Sequence, residues 1–387
     1  MNIAYIGNIG AEGTAPAIHA QNIANLLNDL GHKITFICSE PGFDKKKING
    51  NEKCSYIYVR RNFDFPIVRS LEYRIELSKG NNLSLLLKKM NKKYRFDMVI
   101  LYGYSGEKNI IKYCKQNGIL VIADRVDWFE KDDFSNTMYN KWFQKNMIDK
   151  SITKLDKDLD GVISISTYLD NHYKNMNVES IWIPPIFSSF VDKISFDLNR
   201  PLVLVYAGSL GGNKDLIKPV IQALKIINQD KVKIKLNLVG ISYEQIKEHY
   251  DDLETEKLGI KAYGFVPHVE AKKIISKSDF GLLLRHNKRY AKAGFSTKFS
   301  ECMSSGVPMI CTSVGGADTI IENYVDGILL PDNQVDTIIR ILSDIINMSD
   351  EKILSMKKEA YKKANKTFKS SMYYEKMQEF LFKISNK

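Results

Sequence analysis

The sequence predicts an α/β protein made of two similar halves, each with a parallel sheet covered by helices. Short apolar runs alternate with amphipathic segments, each half opens with a strand, a glycine turn and a helix, and the alternation weakens only near residues 185–201. Strands that alternate with helices pair in parallel, because each connection must cross back over the sheet. Two Rossmann-like domains follow, and 387 residues suit two domains of ordinary size.

In the first half, an apolar run over residues 3–6 predicts the opening strand. Thr14 is a candidate N-cap, Pro16 suits the first turn of a helix, and Gly31 suits its end. A second helix is expected at residues 110–116. Further strands are expected at 34–38, 98–102, 119–123, 162–166 and 181–184.

The second half repeats this alternation after the loosely patterned segment. Strands are expected at 202–206, 234–239, 261–265, 280–284 and 307–312. Helices are expected at 216–227, 271–276 and 297–304, followed by a helical segment at 352–384.

These elements predict a domain over residues 1–190, a second over 191–370, and a C-terminal helix over 371–387 that packs back on the first domain. We expect the two sheets to face one another across a cleft. Ligands of open parallel sheets bind beyond the carboxyl ends of the strands, so the ligand is expected between the domains.

Composition excludes several classes of protein. Hydrophobic residues make up 44% and charged residues 26%, as in a globular domain rather than a disordered or fibrous chain. Apolar runs are too short to span a membrane, and the opening strand does not resemble a secretory signal. Five scattered cysteines predict reduced thiols in a cytoplasmic protein and do not predict a zinc site. The net charge of +11 favours a phosphate-bearing partner: nucleic acid, anionic lipid or nucleotide.

The first glycine turn contains Gly7, Gly10 and Gly13. Such a turn before a helix allows phosphate oxygens to approach backbone N–H groups, so Gly10 and Gly13 are candidate binding residues. The spacing differs from the dinucleotide fingerprint Gly-x-Gly-x-x-Gly. Glu40 follows the second strand, where a dehydrogenase would place its ribose-binding acid, but the spacing disfavours that class. A purely conformational role for these glycines stays open.

The densest motif lies at residues 285–308. Its centre reads Gly294-Phe295-Ser296-Thr297-Lys298-Phe299-Ser300-Glu301. Here the chain resembles retaining glycosyltransferases of family 4, which have the GT-B fold. It is most similar to capsule, exopolysaccharide and lipopolysaccharide enzymes with a Gly-Phe-Pro-Thr-Lys-Phe-x-Glu core. Other matching pieces follow in order: 161–166, 183–185, 206–209, Lys214 with Asp215, Asp279, Gly315 with Gly316, and Gly327.

The resemblance implies that a nucleoside-diphosphate sugar binds in the C-terminal domain, without a metal or another cofactor. Lys214 and Lys298 match the cations that stabilise the departing phosphate, and Glu301 matches the carboxylate that binds the ribose hydroxyls. Arg285 matches an arginine near the donor sugar or phosphate. Donor-binding positions are also implied at Gly208, Ser209, Gly294, Phe295, Ser296 and Thr297.

Three positions depart from the family pattern. Ala293 stands where the first of two glutamates is usual, and Ser296 replaces a proline. In the N-terminal half, Val126 or Asp127 stands near the usual catalytic histidine. We therefore take Asp127 as a candidate catalytic residue that orients the acceptor or binds a hydroxyl, with a helix-capping role as the alternative. His19, His172, His268 and His286 lack a carboxylate at helical spacing and are interpreted as structural.

The resemblance implies transfer of a sugar, with retention, to a hydroxyl of a growing, lipid-linked glycan or an oligosaccharide. The positive charge and the segment from Lys141 to Lys145, with Trp142 and Phe143, would suit peripheral contact with an anionic inner membrane face. Two alternatives stay open: a catalytically silent partner that binds sugar nucleotide, and a sugar-nucleotide epimerase. A nucleic-acid partner is not expected, because no RNA- or DNA-binding motif accompanies the charge.

Overall fold

The chain forms two compact units in the computed structural model. The first comprises Met1–Ser188 with Ser370–Lys387, and the second comprises Ser189–Lys369. The structure describes residues 1–7, 9, 14–38, 54–58, 79–104, 106–133, 138–188, 196–208, 215–250 and 254–386.

The first unit contains a seven-stranded sheet in which every neighbouring pair is parallel. Its order is β3-β2-β1-β4-β5-β6-β7, so the chain changes direction between β1 and β4. The strands are β1 Asn2–Gly7, β2 Lys33–Cys38, β3 Cys54–Tyr58, β4 Met98–Tyr102, β5 Leu120–Arg125, β6 Gly161–Ser164 and β7 Ser180–Trp182.

Among the described residues, helices lie between most of the consecutive strands, as crossovers in a parallel sheet require. They are α1 Ala15–Asp29, α2 Asn81–Tyr94, α3 Glu107–Gln116, α4 Met138–Thr153 and α5 Thr167–Asn175, with short 3₁₀ turns at Lys131–Asp133 and Leu155–Asp158. Helix α1 has Thr14 at its N-cap and proline in its first turn. Gly31 follows its end with a φ of 87°, where a residue without a side chain is favoured.

The second unit contains a six-stranded parallel sheet in the order β10-β9-β8-β11-β12-β13. Both sheets therefore follow the Rossmann strand order, and the predicted fold class of two Rossmann-like parallel sheets is confirmed. The strands are β8 Leu202–Ala207, β9 Ile234–Val239, β10 Ile260–Gly264, β11 Phe280–Leu283, β12 Met309–Thr312 and β13 Gly327–Leu330.

The helices of the second unit surround this sheet. They are α6 Lys218–Ile227, α7 Tyr243–His249, α8 His268–Ser276, α9 Arg289–Ala293, α10 Thr297–Ser304, α11 Ala317–Ile320, α12 Val335–Ile346 and α13 Asp350–Thr367. Lys357 of α13 is buried, and its ammonium donates to the carbonyls of Asp197 (2.7 Å) and Ser278 (2.9 Å) and to Asp279. These bonds tie α13 to the start of β11.

The central strands are buried on both faces, which explains their continuous apolar sequences. Every residue of β4 and of β11 is buried. Each unit has its own apolar cluster, one around Ile3, Ile100 and Ile122 and the other around Leu204 and Phe280.

The end of the chain returns to the first unit through a 3₁₀ turn, Ser370–Tyr373, and helix α14, Tyr374–Ser385. Phe380 of α14 packs over Gly161 at the start of β6, where a Cβ atom would lie 2.6 Å from the end of its ring. The absence of a side chain at Gly161 therefore allows this close approach.

A buried ion network crosses the first unit. Both sides of the fully buried Arg125 guanidinium are paired: Nε and one terminal nitrogen donate to Asp156 (2.9 and 2.5 Å), and the other donates to Glu107 (2.6 Å) and to the Gly103 carbonyl. The Tyr173 hydroxyl donates a hydrogen bond to Asp156 at 2.8 Å. Burial raises the pKa of Glu107, and the Arg125 charge opposes that rise. The network joins β5 to α3 and to the turn before β6.

In the part of the chain that the structure describes, no helix is long and apolar enough to cross a bilayer. Among the same residues, no group of three or more His, Cys, Asp or Glu side chains is arranged to hold a metal ion.

We predict that Arg125→Leu lowers the apparent free energy of unfolding by about 3–5 kcal/mol, because two buried carboxylates lose their cation. Urea unfolding followed by circular dichroism measures this change. Lys115 forms an exposed ion pair with Asp160, so Lys115→Leu is the matched control and should cost less than about 1 kcal/mol. Equal costs for the two variants would contradict a structural role for the network.

Candidate functional site

The candidate site lies at the carboxyl edge of the second sheet, where β8 and β11 are neighbours and the strand order reverses. Gly208 directly follows β8, and Arg285 comes two residues after β11. Helix α10 brings Lys298 to the same place. This edge is where parallel sheets of this type bind ligands.

Four side chains form one ion cluster at this edge. The Asp215 carboxylate accepts from Arg285 Nε at 2.6 Å and from the Tyr206 hydroxyl at 2.8 Å, and it also accepts from Lys298 Nζ. The Lys298 ammonium additionally donates to the Tyr206 hydroxyl at 2.8 Å and lies 4.4 Å from the centre of its ring. Two of the predicted cations, Lys298 and Arg285, thus pair with the same carboxylate, that of Asp215.

Burial and charge together set the protonation of this cluster. Burial favours the neutral form of Asp215, but the charges of Lys298 and Arg285 outweigh it and hold the pKa of Asp215 well below its ordinary value. Burial lowers the pKa of Lys298, and the Asp215 carboxylate opposes that lowering. Burial, followed by Asp215, raises the pKa of Tyr206 well above its ordinary value. The site therefore combines two cations, one carboxylate and one neutral phenol.

Gly208 is required by the position of Lys298. A Cβ atom at residue 208 would overlap the Cε and Nζ atoms of Lys298. The Gly208 N–H donates to the Val239 carbonyl at 2.7 Å, which fixes the backbone at the end of β8. The lack of a side chain at Gly208 therefore leaves room for the Lys298 ammonium.

Glu301 lies on α10, about one turn after Lys298, and its side chain is 16% exposed. Its Oε1 is 3.5 Å from Nε2 of the more exposed His268, the first residue of α8. Helical spacing did not predict this pairing of His268 with a carboxylate. The two residues come from separate helices, so sequence spacing carries no signal for them.

The loop before α10 places the remaining motif residues. Gly294 follows α9, Ser296 is the N-cap of α10 without a capping side-chain bond, and Thr297 is the first helical residue. Gly315 approaches the Gly294 carbonyl so closely that a Cβ there would lie 2.5 Å from it. The Phe295 ring packs edge-on against Phe299 and Phe368, at 5.5 and 6.0 Å between ring centroids; this fixes the loop.

Ala293, at the position of the missing glutamate, ends α9 and is completely buried. Four predicted site residues lie outside the described residues: Lys214, Ser209, Gly10 and Gly13.

Asp127 belongs to the first unit and lies after β5, four residues before the 3₁₀ turn Lys131–Asp133. It does not directly precede a helix. After the larger effect of burial, its charge contributes to the raised pKa values of Tyr102 and Tyr104. The binding role predicted for Asp127 remains a prediction.

Sequence reasoning assigned no role to several residues that the structure joins. Asp215 and Tyr206 belong to quoted motifs but were given no function. The Asp124 carboxylate accepts a hydrogen bond from Nε2 of His19, 2.9 Å away, and another from the Tyr5 hydroxyl. His19 is 105 residues from Asp124 in sequence. Tyr5 lies on β1, Asp124 lies on β5 with β4 between these strands, and His19 lies on α1, so only the tertiary structure brings them together.

The comparisons with known proteins agree with this geometry. Residues 191–363 match the family model described as Glycosyl transferases group 1. The match covers nearly all of the second unit and includes every described residue of the ion cluster. It supports the resemblance drawn from the motifs at the level of a group 1 glycosyltransferase.

Two curated relatives are also glycosyltransferases by name. An uncharacterized glycosyltransferase of Methanocaldococcus jannaschii is 27% identical over 238 residues, which are 58% of this chain and 59% of the relative. The amylovoran biosynthesis glycosyltransferase AmsK of Erwinia amylovora is 23% identical over 215 residues, 55% of this chain and 52% of the relative. The matched stretches thus span little more than half of each relative.

Solved structures share the fold over nearly the full chain. Sucrose-phosphate synthase from Thermosynechococcus elongatus has a TM-score of 0.74 at 14% identity, with 99% of this chain and 98% of that chain covered. Anabaena HepE in complex with UDP has a TM-score of 0.68 at 16% identity, with 99% and 100% covered. These neighbours confirm the GT-B fold class that the resemblance to family 4 glycosyltransferases implied.

We predict that Gly208→Ala destabilises the second unit by about 1–3 kcal/mol, because the added methyl group displaces the Lys298 ammonium. A double-mutant cycle with Lys298→Ala, measured by urea unfolding, should recover at least about 1 kcal/mol of that cost. Additive effects of the two substitutions would show that the methyl group is accommodated without moving Lys298.

Proposed function

We propose that this protein transfers a sugar from a nucleoside-diphosphate donor to a hydroxyl of a growing, lipid-linked cell-surface glycan, with retention of anomeric configuration. The single observation that carries the proposal is the pair of cations, Lys298 and Arg285, held at the carboxyl edge of a Rossmann-like sheet within the group 1 match. Support for the donor class comes from HepE, whose structures are described in complex with UDP and with UDP-glucose.

In the proposed donor complex, the diphosphate lies against Lys298, Lys214 and Arg285. The start of α10 adds backbone N–H groups, because the side chain of Ser296 does not cap this helix. Glu301, one turn further on, accepts hydrogen bonds from the ribose diol. Gly208, Ser209 and the segment 294–297 complete the binding surface for the phosphates and the donor sugar.

The proposed chemistry breaks the bond between the anomeric carbon and the phosphate oxygen, whose electron pair leaves with the nucleoside diphosphate. Fixed cations stabilise the negative charge that grows on that oxygen. The acceptor hydroxyl attacks from the same face and gives its proton to the departing phosphate oxygen, so the configuration is retained. Charge stabilisation by these side chains makes the proposed transfer independent of a metal ion.

The two domains have separate roles in this proposal. Residues 191–370 bind the donor, and residues 1–190, together with the helix at 371–387, bind and orient the acceptor. Asp127 is the proposed acceptor-orienting residue, and Gly10 and Gly13 are proposed to contact bound substrate. A surface glycan as acceptor is supported by AmsK, which is named for amylovoran biosynthesis.

The test is turnover by the purified protein with a panel of nucleoside-diphosphate sugars and lipid-linked acceptors, measured with and without EDTA. Lys298→Met should reduce kcat about 100-fold or more, because one fixed charge at the leaving group is lost. Glu301→Gln should weaken UDP binding about tenfold, as expected for a lost charged hydrogen bond.

The exposed Lys292 on α9 supplies the control, and Lys292→Met should leave both quantities unchanged. Full turnover by Lys298→Met and Glu301→Gln would refute the proposed site. UDP binding without transfer of any donor would instead favour the catalytically silent partner, and interconversion of free sugar nucleotides would favour the epimerase.

The proposal includes peripheral contact of helix α4 with an anionic membrane. Trp142 is 56% exposed, whereas Lys145 is paired with Asp149 at 2.6 Å. We predict co-sedimentation with phosphatidylglycerol vesicles. Trp142→Ser should reduce it, and so should 0.5 M salt, which shortens the electrostatic screening length to roughly 4 Å. Leu85→Ser, at another exposed apolar residue, is the control. Equal sedimentation with neutral vesicles would refute this contact.

A further inference from the structure

Asp215 is the residue on which three hydrogen-bond donors from separate parts of the second unit converge. One oxygen accepts from Arg285, and the other accepts from Lys298 and Tyr206. We propose that Asp215 is a positioning residue, which holds Lys298 and Arg285 side by side and maintains the charged form of Lys298 for the donor diphosphate. This role rests on the proposed function of the site.

The backbone at Asp215 is anchored to the strand that leads to Arg285. The two residues form an antiparallel β-bridge, and the next amide, at Leu216, donates to the Leu284 carbonyl at 2.8 Å. The carboxylate itself is only 7% exposed. Its position is therefore set by the fold, and the more flexible lysine and arginine side chains take their positions from it.

The Asp215 carboxylate offsets two effects that disfavour the charged form of Lys298. Burial disfavours the ammonium form of Lys298, and the neighbouring Arg285 charge disfavours it further. The other titratable groups that face Lys298, Tyr206 and Cys302, have pKa values raised mainly by burial and remain neutral. Asp215 is thus the negative charge among the described residues that favours the ammonium form through both a charge interaction and a hydrogen bond.

The geometry also leaves groups free for a ligand. Asp215 takes Nε of Arg285, and within the part of the chain that the structure describes, the two terminal amino groups of that guanidinium have no hydrogen-bond partner. A guanidinium presents such a pair of nitrogens to phosphate oxygens in one plane. Two cations and one carboxylate give the cluster a net positive charge, which attracts a diphosphate.

The first experiment measures the protonation of Lys298 in the full-length protein without any ligand. Trace labelling with acetic anhydride across pH, followed by peptide mass spectrometry, gives the pH midpoint at which the amine becomes reactive. In Asp215→Asn this midpoint should fall by at least about one pH unit, because the carboxylate that favours the ammonium is gone. Asp318→Asn removes an exposed acid of the same unit and should leave the midpoint unchanged.

Asp215→Glu keeps the negative charge, so its midpoint should lie close to that of the wild type. This variant can also be measured if Asp215→Asn does not fold. An unchanged midpoint in Asp215→Asn, or an equal fall in Asp215→Asn and Asp215→Glu, would overturn the proposal.

The second experiment measures UDP affinity by calorimetry at pH 7 and pH 9. Asp215→Asn should lose at least tenfold more affinity than the wild type between these values, since its Lys298 becomes neutral at lower pH. Tighter binding by Asp215→Asn at both pH values would overturn the proposal, because Asp215 would then only compete with the phosphate. A shifted labelling midpoint in a protein that binds no UDP would support the positioning role and count against the proposed donor.

Discussion

Parallel pairing of the strands is the constraint on which both units depend. Each strand must be followed by a crossover before its neighbour can form, so the carboxyl ends of all strands lie at one edge of the sheet. In the second unit, this brings Asp215 beside Arg285, which follows β11, although the two residues are 70 positions apart in the sequence. The candidate site is therefore a direct consequence of strand order.

Each unit also contains a cluster of buried charges that are paired with opposite charges. Arg125 lies between Glu107 and Asp156 in the first unit, and Asp215 lies between Lys298 and Arg285 in the second. The two clusters have opposite composition: the first has one cation with two acids, whereas the second has one acid with two cations. A surplus of positive charge at the sheet edge suits an anionic ligand, and the buried surplus of acid suits a structural role.

The structure shows what stands at the positions where this sequence departs from the motif it resembles. Ala293 is buried at the end of α9, so the position of the usual first glutamate contributes packing in place of a carboxylate. Phe295 is fixed by two neighbouring rings and holds the loop rather than pointing freely. The contacts that select the donor sugar in the proposed reaction must therefore come from other groups, such as the backbone of residues 294–296.

Local sequence determined the elements of this protein. Apolar runs predicted β4 and β9 to the residue, and the motif predicted α10 over Thr297–Ser304, because strand and helix periodicities are properties of short segments. The family resemblance carried by this motif indicated Lys298 and Arg285 as site residues, and the matching piece at 206–209 added Gly208. Their common location was expected from the rule that ligands bind at strand ends.

Tertiary structure alone decided which side chains meet. The partner of Lys298 is Asp215, 83 residues earlier, and the partner of His19 is Asp124, 105 residues later. Neither pair shares a helix or a strand, so no spacing in the sequence encodes it. Their proximity arises from the order in which strands join the sheet and from the burial that makes an unpaired charge costly.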